Sequence, residues 1–367
     1  MNSAVATIYG AALPAEESPP IDLRDLFAQL WLRANGNMEQ ILEWLKEIME
    51  RYPLLGEGKG YEDMVAELEK MGLVRQDGEN HVGTSAGRQA VRNSVYERLF
   101  QGLSRGLAGR HAAPTLGAGT ERLPSTRPWS PGDDPRDIDW TASLTRTALR
   151  GGDPSSLSED DLSTWETEAA TSCATALLID VSHSMILYGE DRITPAKMLA
   201  IGLSEHIRRN HPRDTLDVVA FGDEAWRIPT DSIAELSVGP FHTNTADGLR
   251  LARDLLRRRR APNRRILVVT DGKPSCIFDK GRLYKNPFGL DPLVVERTLA
   301  EGRRCRRDGS LISTFLIAHD PMLVAFAELF ARAVEGQVFQ AGLDQLGEVV
   351  LKEWSKSRIR TPRHRGI

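Results

Sequence analysis

The segment Asp180-Val181-Ser182-His183-Ser184 carries the residues of this chain best suited to hold a metal ion. It follows the short apolar run 174–179, which is typical of a buried strand in a parallel sheet covered on both faces. Loops at the carboxyl ends of such strands are where open α/β sheets bind ligands. A carboxylate and two hydroxyls are oxygen donors, which suit Mg²⁺ or Mn²⁺ better than Zn²⁺ or copper. The segment therefore predicts a divalent-cation site.

Two later segments offer further oxygen donors. Thr243 lies in the segment 241–245, at the start of a helical pattern. Asp271 ends a second apolar run, 265–270, and is followed by glycine, so it too would lie just past a buried strand. An alternative interpretation of the first segment is an ordinary strand-to-loop turn, in which Asp and Ser are common. The presence of Thr243 and Asp271, in the order and at the spacing that such a site needs, favours the metal site.

The order and spacing of these residues resemble the metal-ion-dependent adhesion site of von Willebrand factor A (vWA) domains. The resemblance covers about residues 171–355. All five positions of the motif are filled, by Asp180, Ser182, Ser184, Thr243 and Asp271. It implies that the three hydroxyl groups ligate the ion directly and that the two carboxylates hold ligand waters. The chain departs from the family at Phe241-His242, where two glycines are usual, and Thr245 stays the alternative to Thr243 as ligand.

Such a site implies docking on a partner protein. Neutral hydroxyl ligands leave much of the cation's charge uncompensated at its open position, so a carboxylate of another protein is a favourable last ligand. The region is also similar to the D subunit of magnesium chelatase, which works with an AAA+ motor. That similarity implies an adaptor that couples ATP hydrolysis elsewhere to remodelling of a client.

The elements that would position these residues alternate between strand and helix from residue 171, as in a doubly wound α/β fold with a mostly parallel, Rossmann-like sheet. Strands are predicted near residues 174–180, 215–221, 265–270, 311–317 and 336–340. Helices are predicted near 194–209, 245–259, 291–306, 321–334 and 343–355. The connection 273–291 is longer than the roughly two to six residues that a strand-to-helix connection needs. Its aromatic residues Tyr284 and Phe288 predict partner contact beside the metal.

Residues 21–108 predict a mainly helical, winged-helix-like domain of three helices, a small hairpin and a long helix. A winged helix suggests DNA binding, but the third helix, 61–71, carries four acids against one lysine. Because an acidic helix repels phosphate, we favour a role in protein interaction. A DNA-binding regulator, with the vWA domain as its sensor, is the alternative function.

Residues 109–170 are predicted to be a linker that ends in an acidic, solvated stretch, with a short helix near 162–168. Within it, the segment 128–140 resembles a box that precedes the A domain in bacterial proteins associated with MoxR-type AAA+ ATPases. This resemblance implies such an ATPase as the partner. Trp129 and Trp140 flank four aspartates and an arginine, which predicts anchoring on a neighbouring surface, although an acidic tether is the alternative.

Composition places the chain among cytoplasmic globular proteins. Its net charge of −4 gives no sign of a nucleic-acid binder as a whole, and no apolar run approaches the ~18 residues of a membrane span. Residues 1–20 lack a signal-peptide pattern, and they and the basic segment 356–367 are predicted to be disordered tails. The cysteines, Cys173, Cys276 and Cys305, are widely separated, which predicts free thiols in a reducing compartment.

Catalysis has little support in the sequence. A phosphotransfer site of the haloacid-dehalogenase type needs a carboxylate where Ser182 stands. The chain has neither a GxxxxGK[ST] nor a GxGxxG phosphate loop, and its histidines form no spaced metal cluster. We therefore expect a non-enzymatic, Mg²⁺- or Mn²⁺-dependent interaction adaptor that works with a MoxR-type AAA+ ATPase.

Overall fold

The computed structural model describes residues 22–51, 60–101, 121–130, 133, 135–168, 172–189, 191–259, 261–271, 273–286, 288–317, 320–340 and 346–358. The predicted tail at 1–20 and the chain beyond residue 358 lie outside these ranges. By their internal contacts, residues 1–105 and 173–356 form one compact unit, and residues 106–172 and 357–367 form another. Within the described ranges, no helix is both long and apolar enough to cross a membrane.

The first unit begins with the predicted succession of three helices, a hairpin and a fourth helix. These elements are α1 (Leu23–Arg33), α2 (Met38–Arg51), α3 (Tyr61–Lys70), β1 (Val74–Asp77), β2 (Asn80–Gly83) and α4 (Ser85–Gln101). The Asp22 side chain caps α1 by accepting a hydrogen bond from the Arg24 amide. Helix α1 buries Phe27, Leu30 and Trp31, so the core of this region is apolar.

The second unit has regular structure where the sequence predicts a linker. It contains β3 (Glu121–Pro128), α5 (Trp140–Leu149) and β4 (Ser163–Glu168). Strands β3 and β4 pair in antiparallel fashion, so residues 163–168 form a strand instead of the expected short helix. The physical reason is that Thr164, Trp165 and Thr167 favour an extended chain, and this preference outweighs the acidic composition that suggested solvated helix.

A six-stranded sheet forms the centre of the first unit, in the order β12-β11-β8-β5-β6-β7. Its elements and those around it are β5 (Cys173–Asp180), α6 (Ile193–Asn210), β6 (Thr215–Phe221), β7 (Ala225–Ile228), α7 (Thr245–Arg257), β8 (Asn263–Thr270), β9 (Cys276–Asp279), β10 (Arg282–Lys285), α8 (Pro292–Arg307), β11 (Ser310–Leu316), α9 (Pro321–Val334), β12 (Gln337–Gln340) and α10 (Leu346–Arg358). Edge strand β7 is antiparallel, and the other pairs are parallel. The predicted doubly wound α/β fold is therefore confirmed.

Apolar runs explain why these strands lie at the centre. Every residue of β5 is buried, and Leu178, Val219 and Val268 pack in one apolar cluster with residues of the flanking helices. The long connection predicted at 273–291 contains the hairpin β9–β10. Its turn residues Lys280 and Gly281 both have positive φ, 47° and 79°, as a type I′ turn requires.

The N-terminal helices are joined to the sheet region by a buried lysine. Lys197 of α6 is fully buried, and its ammonium group donates to the carbonyl oxygen of Leu32 and to the side-chain oxygen of Asn35, at 2.7 Å. It also donates to the carbonyl oxygens of Ala234 and Leu236, at 3.2 and 3.1 Å. One side chain thus holds three segments of the chain together.

Ion pairs surround this junction. The Arg88 guanidinium of α4 lies 2.7 Å from the Glu235 carboxylate, and Arg92 lies 3.5 Å from the Glu205 carboxylate of α6. Glu205 is nearly fully buried, whereas Arg88 and Glu235 are partly exposed. These two pairs link α4 to α6 and to the segment that holds Glu235.

Candidate functional site

Two buried carboxylates lie side by side at the carboxyl edge of the sheet. Asp180 ends β5 and Asp271 directly follows β8, and these two strands are parallel neighbours in the sheet. The exposed fractions of the two aspartates are 0% and 1%. Asp180 accepts hydrogen bonds from the Ser182 amide at 2.9 Å and from the Thr270 hydroxyl at 2.6 Å. The sheet itself therefore fixes both carboxylates at the predicted edge.

The two serines connect one carboxylate to the other. The hydroxyl oxygens of Ser182 and Ser184 are 3.0 Å apart, and the Ser184 hydroxyl donates to Asp271 Oδ1 at 2.8 Å. A 3₁₀ helix over His183–Gly189 starts at this point, so the tight turn after β5 directs both hydroxyls to one place. The structure thus brings Asp180, Ser182, Ser184 and Asp271 into one contact cluster.

Thr243 lies on the loop that precedes α7. Its amide donates to the Ser275 hydroxyl at 3.0 Å, and its carbonyl accepts from the Ser275 amide at 2.9 Å. These bonds hold the Thr243 loop against the segment that follows Asp271. Thr245, the alternative residue, is the first residue of α7, whose N-cap is Asn244. The role of either threonine as a metal ligand stays a prediction.

The two buried carboxylates of this cluster repel each other when both are ionised. Burial raises the pKa of the Asp180 carboxyl to about 7, and repulsion from Asp271 adds to that effect. Arg192 supplies one compensating charge, because its Nη1 donates to Asp271 Oδ2 at 2.7 Å. Sequence reasoning missed Arg192. Its signal is that it is the one basic residue between Ser184 and the first residue of α6.

The donor set fits a small, hard divalent cation. Adjacent ligands of an octahedron with metal–oxygen distances of about 2.1 Å lie about 3.0 Å apart, and this is the spacing of the Ser182 and Ser184 hydroxyls. Hydroxyl and carboxylate oxygens are also the donors that Mg²⁺ and Mn²⁺ prefer. Across the described ranges, no three His, Cys, Asp or Glu side chains form a metal-binding group of their own. A bound cation would offset the repulsion between the two aspartates.

The predicted partner contacts differ in exposure. On the first unit, Phe288 is 84% exposed and Tyr284 is 39% exposed. The Tyr284 hydroxyl donates to Asp291 Oδ2 at 2.9 Å. On the second unit, Trp140 is 55% exposed, and Trp129 is partly buried, with an amide that donates to the Leu162 carbonyl. Phe288 and Trp140 therefore offer apolar surface, and their partner roles stay predictions.

Comparison with known sequences identifies two regions. Residues 173–355 match a family model described as the vWA domain of Rv0959-like proteins, and residues 121–167 match the third domain of the same proteins. Protein Rv0959 of Mycobacterium tuberculosis and protein Mb0984 of Mycobacterium bovis are each 30% identical over 316 residues. Each match covers 81% of this chain and 46% of the relative, so the chain spans about half the length of these relatives.

Solved structures resemble part of the chain. The PilB minor pilin from Streptococcus sanguinis matches with a TM-score of 0.46 and 13% identity, over 54% of this chain and 64% of the pilin. The vWF domain of the type V pili tip protein Mfa5 from Porphyromonas gingivalis matches with a TM-score of 0.42 and 13% identity. That match covers 53% of this chain and 98% of the Mfa5 domain.

Proposed function

This chain is a vWA-domain protein, and we propose that it is a Mg²⁺-dependent adaptor whose adhesion site docks on a carboxylate of a partner protein. The vWA domain indicates a role in protein interaction or adhesion. The observation that supports the metal-dependent mechanism is the contact cluster of Asp180, Ser182, Ser184 and Asp271 at the ends of neighbouring strands. The protein acts through binding and not through catalysis.

The partner in this proposal is a MoxR-type AAA+ ATPase, and the adaptor directs its work to a client protein. Support comes from the resemblance of residues 128–140 to the box found in proteins associated with such ATPases. Within that box, the exposed indole of Trp140 offers apolar contact area. We place this interaction in the cytoplasm, because Cys173, Cys276 and Cys305 are all free and buried.

The exposed face of α3 favours a protein partner over DNA. Glu62, Asp63 and Glu69 are exposed on this helix, and Lys70 pairs with Glu67 at 3.2 Å. A helix with this charge lacks the cations that supply phosphate contacts. The winged-helix-like region therefore serves protein interaction in this proposal.

Calorimetry with Mn²⁺ and Mg²⁺ tests the metal site. We expect a single site that the double variant Asp180→Ala/Ser182→Ala abolishes, because it removes one carboxylate and one hydroxyl of the cluster. The matched control is Asp153→Ala/Ser155→Ala, which has the same spacing and a similar 2.8 Å bond from the serine amide to the aspartate. Circular dichroism reports the fold of both variants. Unchanged metal binding in the first variant would remove the basis of the proposal.

Pull-down from the native cell tests the partner. We expect an AAA+ ATPase to be recovered with Mg²⁺ and lost with EDTA or with Thr243→Ala. Thr245→Ala is the matched control, and it decides which threonine the site uses. Association that survives EDTA and Thr243→Ala would assign the contact to the Trp129–Trp140 box or to the N-terminal helices.

A further inference from the structure

Arg192 is part of the charge of the site although it lies outside the motif. It directly precedes α6, and its side chain is 14% exposed. Its Nη1 lies 2.7 Å from Asp271 Oδ2, while the other oxygen of Asp271 accepts from Ser184. Both oxygens of this buried carboxylate are therefore engaged, and a guanidinium group sits beside the cluster that would hold the cation.

The charge of Arg192 bears on which ligand completes the site. Asp180 and Asp271 carry two negative charges when ionised, and Arg192 carries one positive charge. A divalent cation added to these three groups leaves one excess positive charge. Were Arg192 neutral, the two carboxylates would offset the charge of the cation, and the preference for an anion over water as the last ligand would be weaker. In a buried site the uncancelled charge determines which ligand completes it.

We propose that Arg192 is a specificity-determining residue that strengthens the preference of this site for an anionic last ligand, a carboxylate of the partner. The inference rests on the proposed function, since the divalent cation binds at the same cluster. Arg192 acts through its charge, so it weakens binding of the cation and strengthens binding of the anion. These two effects have opposite signs, whereas loss of a merely structural ion pair would weaken both.

Mn²⁺ and acetate are the probes that test this inference. Water-proton relaxation measures Mn²⁺ binding, and displacement of Mn²⁺-bound water by acetate measures anion binding. In Arg192→Gln we expect Mn²⁺ to bind tighter and acetate to bind weaker, each by on the order of tenfold. Arg192→Lys keeps the charge and should leave both affinities within about threefold of the wild type.

The control for loss of an ion pair is Arg259→Gln. Arg259 Nη2 lies 2.7 Å from Asp217 Oδ1, and Asp217 is 1% exposed, so the pair matches that of Arg192 and Asp271 in length and in burial of the carboxylate. Arg259 itself is more exposed, and Asp217 keeps a second partner, Arg227, at 2.8 Å. Arg259 lies past the carboxyl end of α7, and Asp217 lies in the middle of β6. We expect Arg259→Gln to change neither affinity.

Each outcome separates the inference from the function on which it rests. If wild-type protein binds Mn²⁺ but Arg192→Gln shifts both affinities in one direction, or shifts neither, the role of Arg192 is overturned and the metal site stands. If wild-type protein binds no Mn²⁺, the proposed function fails. Should Arg192→Gln not fold, the lysine variant still decides, because a tenfold change in its acetate affinity contradicts an effect of charge.

Discussion

At the scale of single residues, Lys197 is a lysine in an unusual environment. It is fully buried, and its hydrogen bonds go to the oxygens of Leu32, Asn35, Ala234 and Leu236. Burial lowers the pKa of its ammonium group to about 8, and attraction to Asp191 opposes that shift. The residue therefore stabilises the junction by hydrogen bonding at a cost in desolvation.

Lys197→Met should lower the free energy of unfolding at pH 7 by about 1–3 kcal/mol, because buried carbonyl oxygens lose their donor. Wild-type stability should also rise relative to this variant between pH 8 and about 10.5. In that window the unfolded chain keeps the lysine proton that the folded chain has released, so stability increases with pH, by up to about 3 kcal/mol. Urea unfolding across the pH series measures both effects.

Lys46→Met is the matched control for this prediction. Lys46 is an exposed residue of α2 whose ammonium lies 5.9 Å from the centre of the Tyr61 ring. Its replacement should change stability by less than about 0.5 kcal/mol at every pH. A difference between wild type and Lys197→Met that stays flat or falls above pH 8 would contradict the assigned charge state.

Residues that directly follow a predicted strand could be placed without a structure. Asp180, Ser182 and Ser184 follow one strand, and Asp271 follows another, so the parallel-sheet rule predicted their shared edge. The position of Arg192 could not be predicted in this way. It contacts Asp271, 79 positions later in the chain, because of the path that its loop takes. Long-range polar contacts of this kind depend on the complete fold.

At the scale of elements, α4 crosses α6 where a leucine meets glycine. A methyl group added at Gly202 of α6 would lie 2.3 Å from Leu99 Cδ1, and one at Gly347 of α10 would lie 2.5 Å from Leu99 Cδ2. Both distances are below van der Waals contact, so a side chain at either glycine would force the Leu99 side chain to shift. Leu99 thus fills the space that two absent side chains leave.

Gly202→Val should destabilise the protein by about 1–3 kcal/mol, because the added side chain overlaps Leu99 in a packed interface. Urea unfolding measures the loss. Leu99→Ala frees the space, so the double variant Gly202→Val/Leu99→Ala should be more stable than the sum of the two single losses predicts. Strict additivity of the two substitutions would show that they do not share this contact.

Element prediction succeeded where burial shaped the sequence. The central strands β5, β6 and β8 are apolar runs of typical strand length, and their positions were predicted closely. Edge strand β7 and the hairpin β9–β10 were missed, since each of these strands is only four residues long and none is buried along its whole length. These strands pair across short turns, Phe221 with Ala225 and Asp279 with Arg282, so turn geometry and not an apolar run forms them.

At the scale of the whole molecule, the N-terminal helices and the vWA sheet belong to one compact unit. A fragment of residues 172–358 should therefore melt below the full chain, by on the order of 10 °C. It loses the contacts of Leu32 and Asn35 with Lys197 and the ion pair of Arg92 with Glu205. Thermal melts followed by circular dichroism measure the difference, and equal midpoints would show that the sheet region is independent.

The junction at Lys197 has a consequence for how related sequences diverge. Three of its four acceptors are main-chain carbonyls, of Leu32, Ala234 and Leu236, which every amino acid supplies. Substitutions at those positions can accumulate without altering the bond, so no correlated replacement at Lys197 is required. Co-variation between aligned positions, which detects contacts such as Arg88 with Glu235, would therefore register the bond of Lys197 to the Asn35 side chain but pass over its three main-chain bonds.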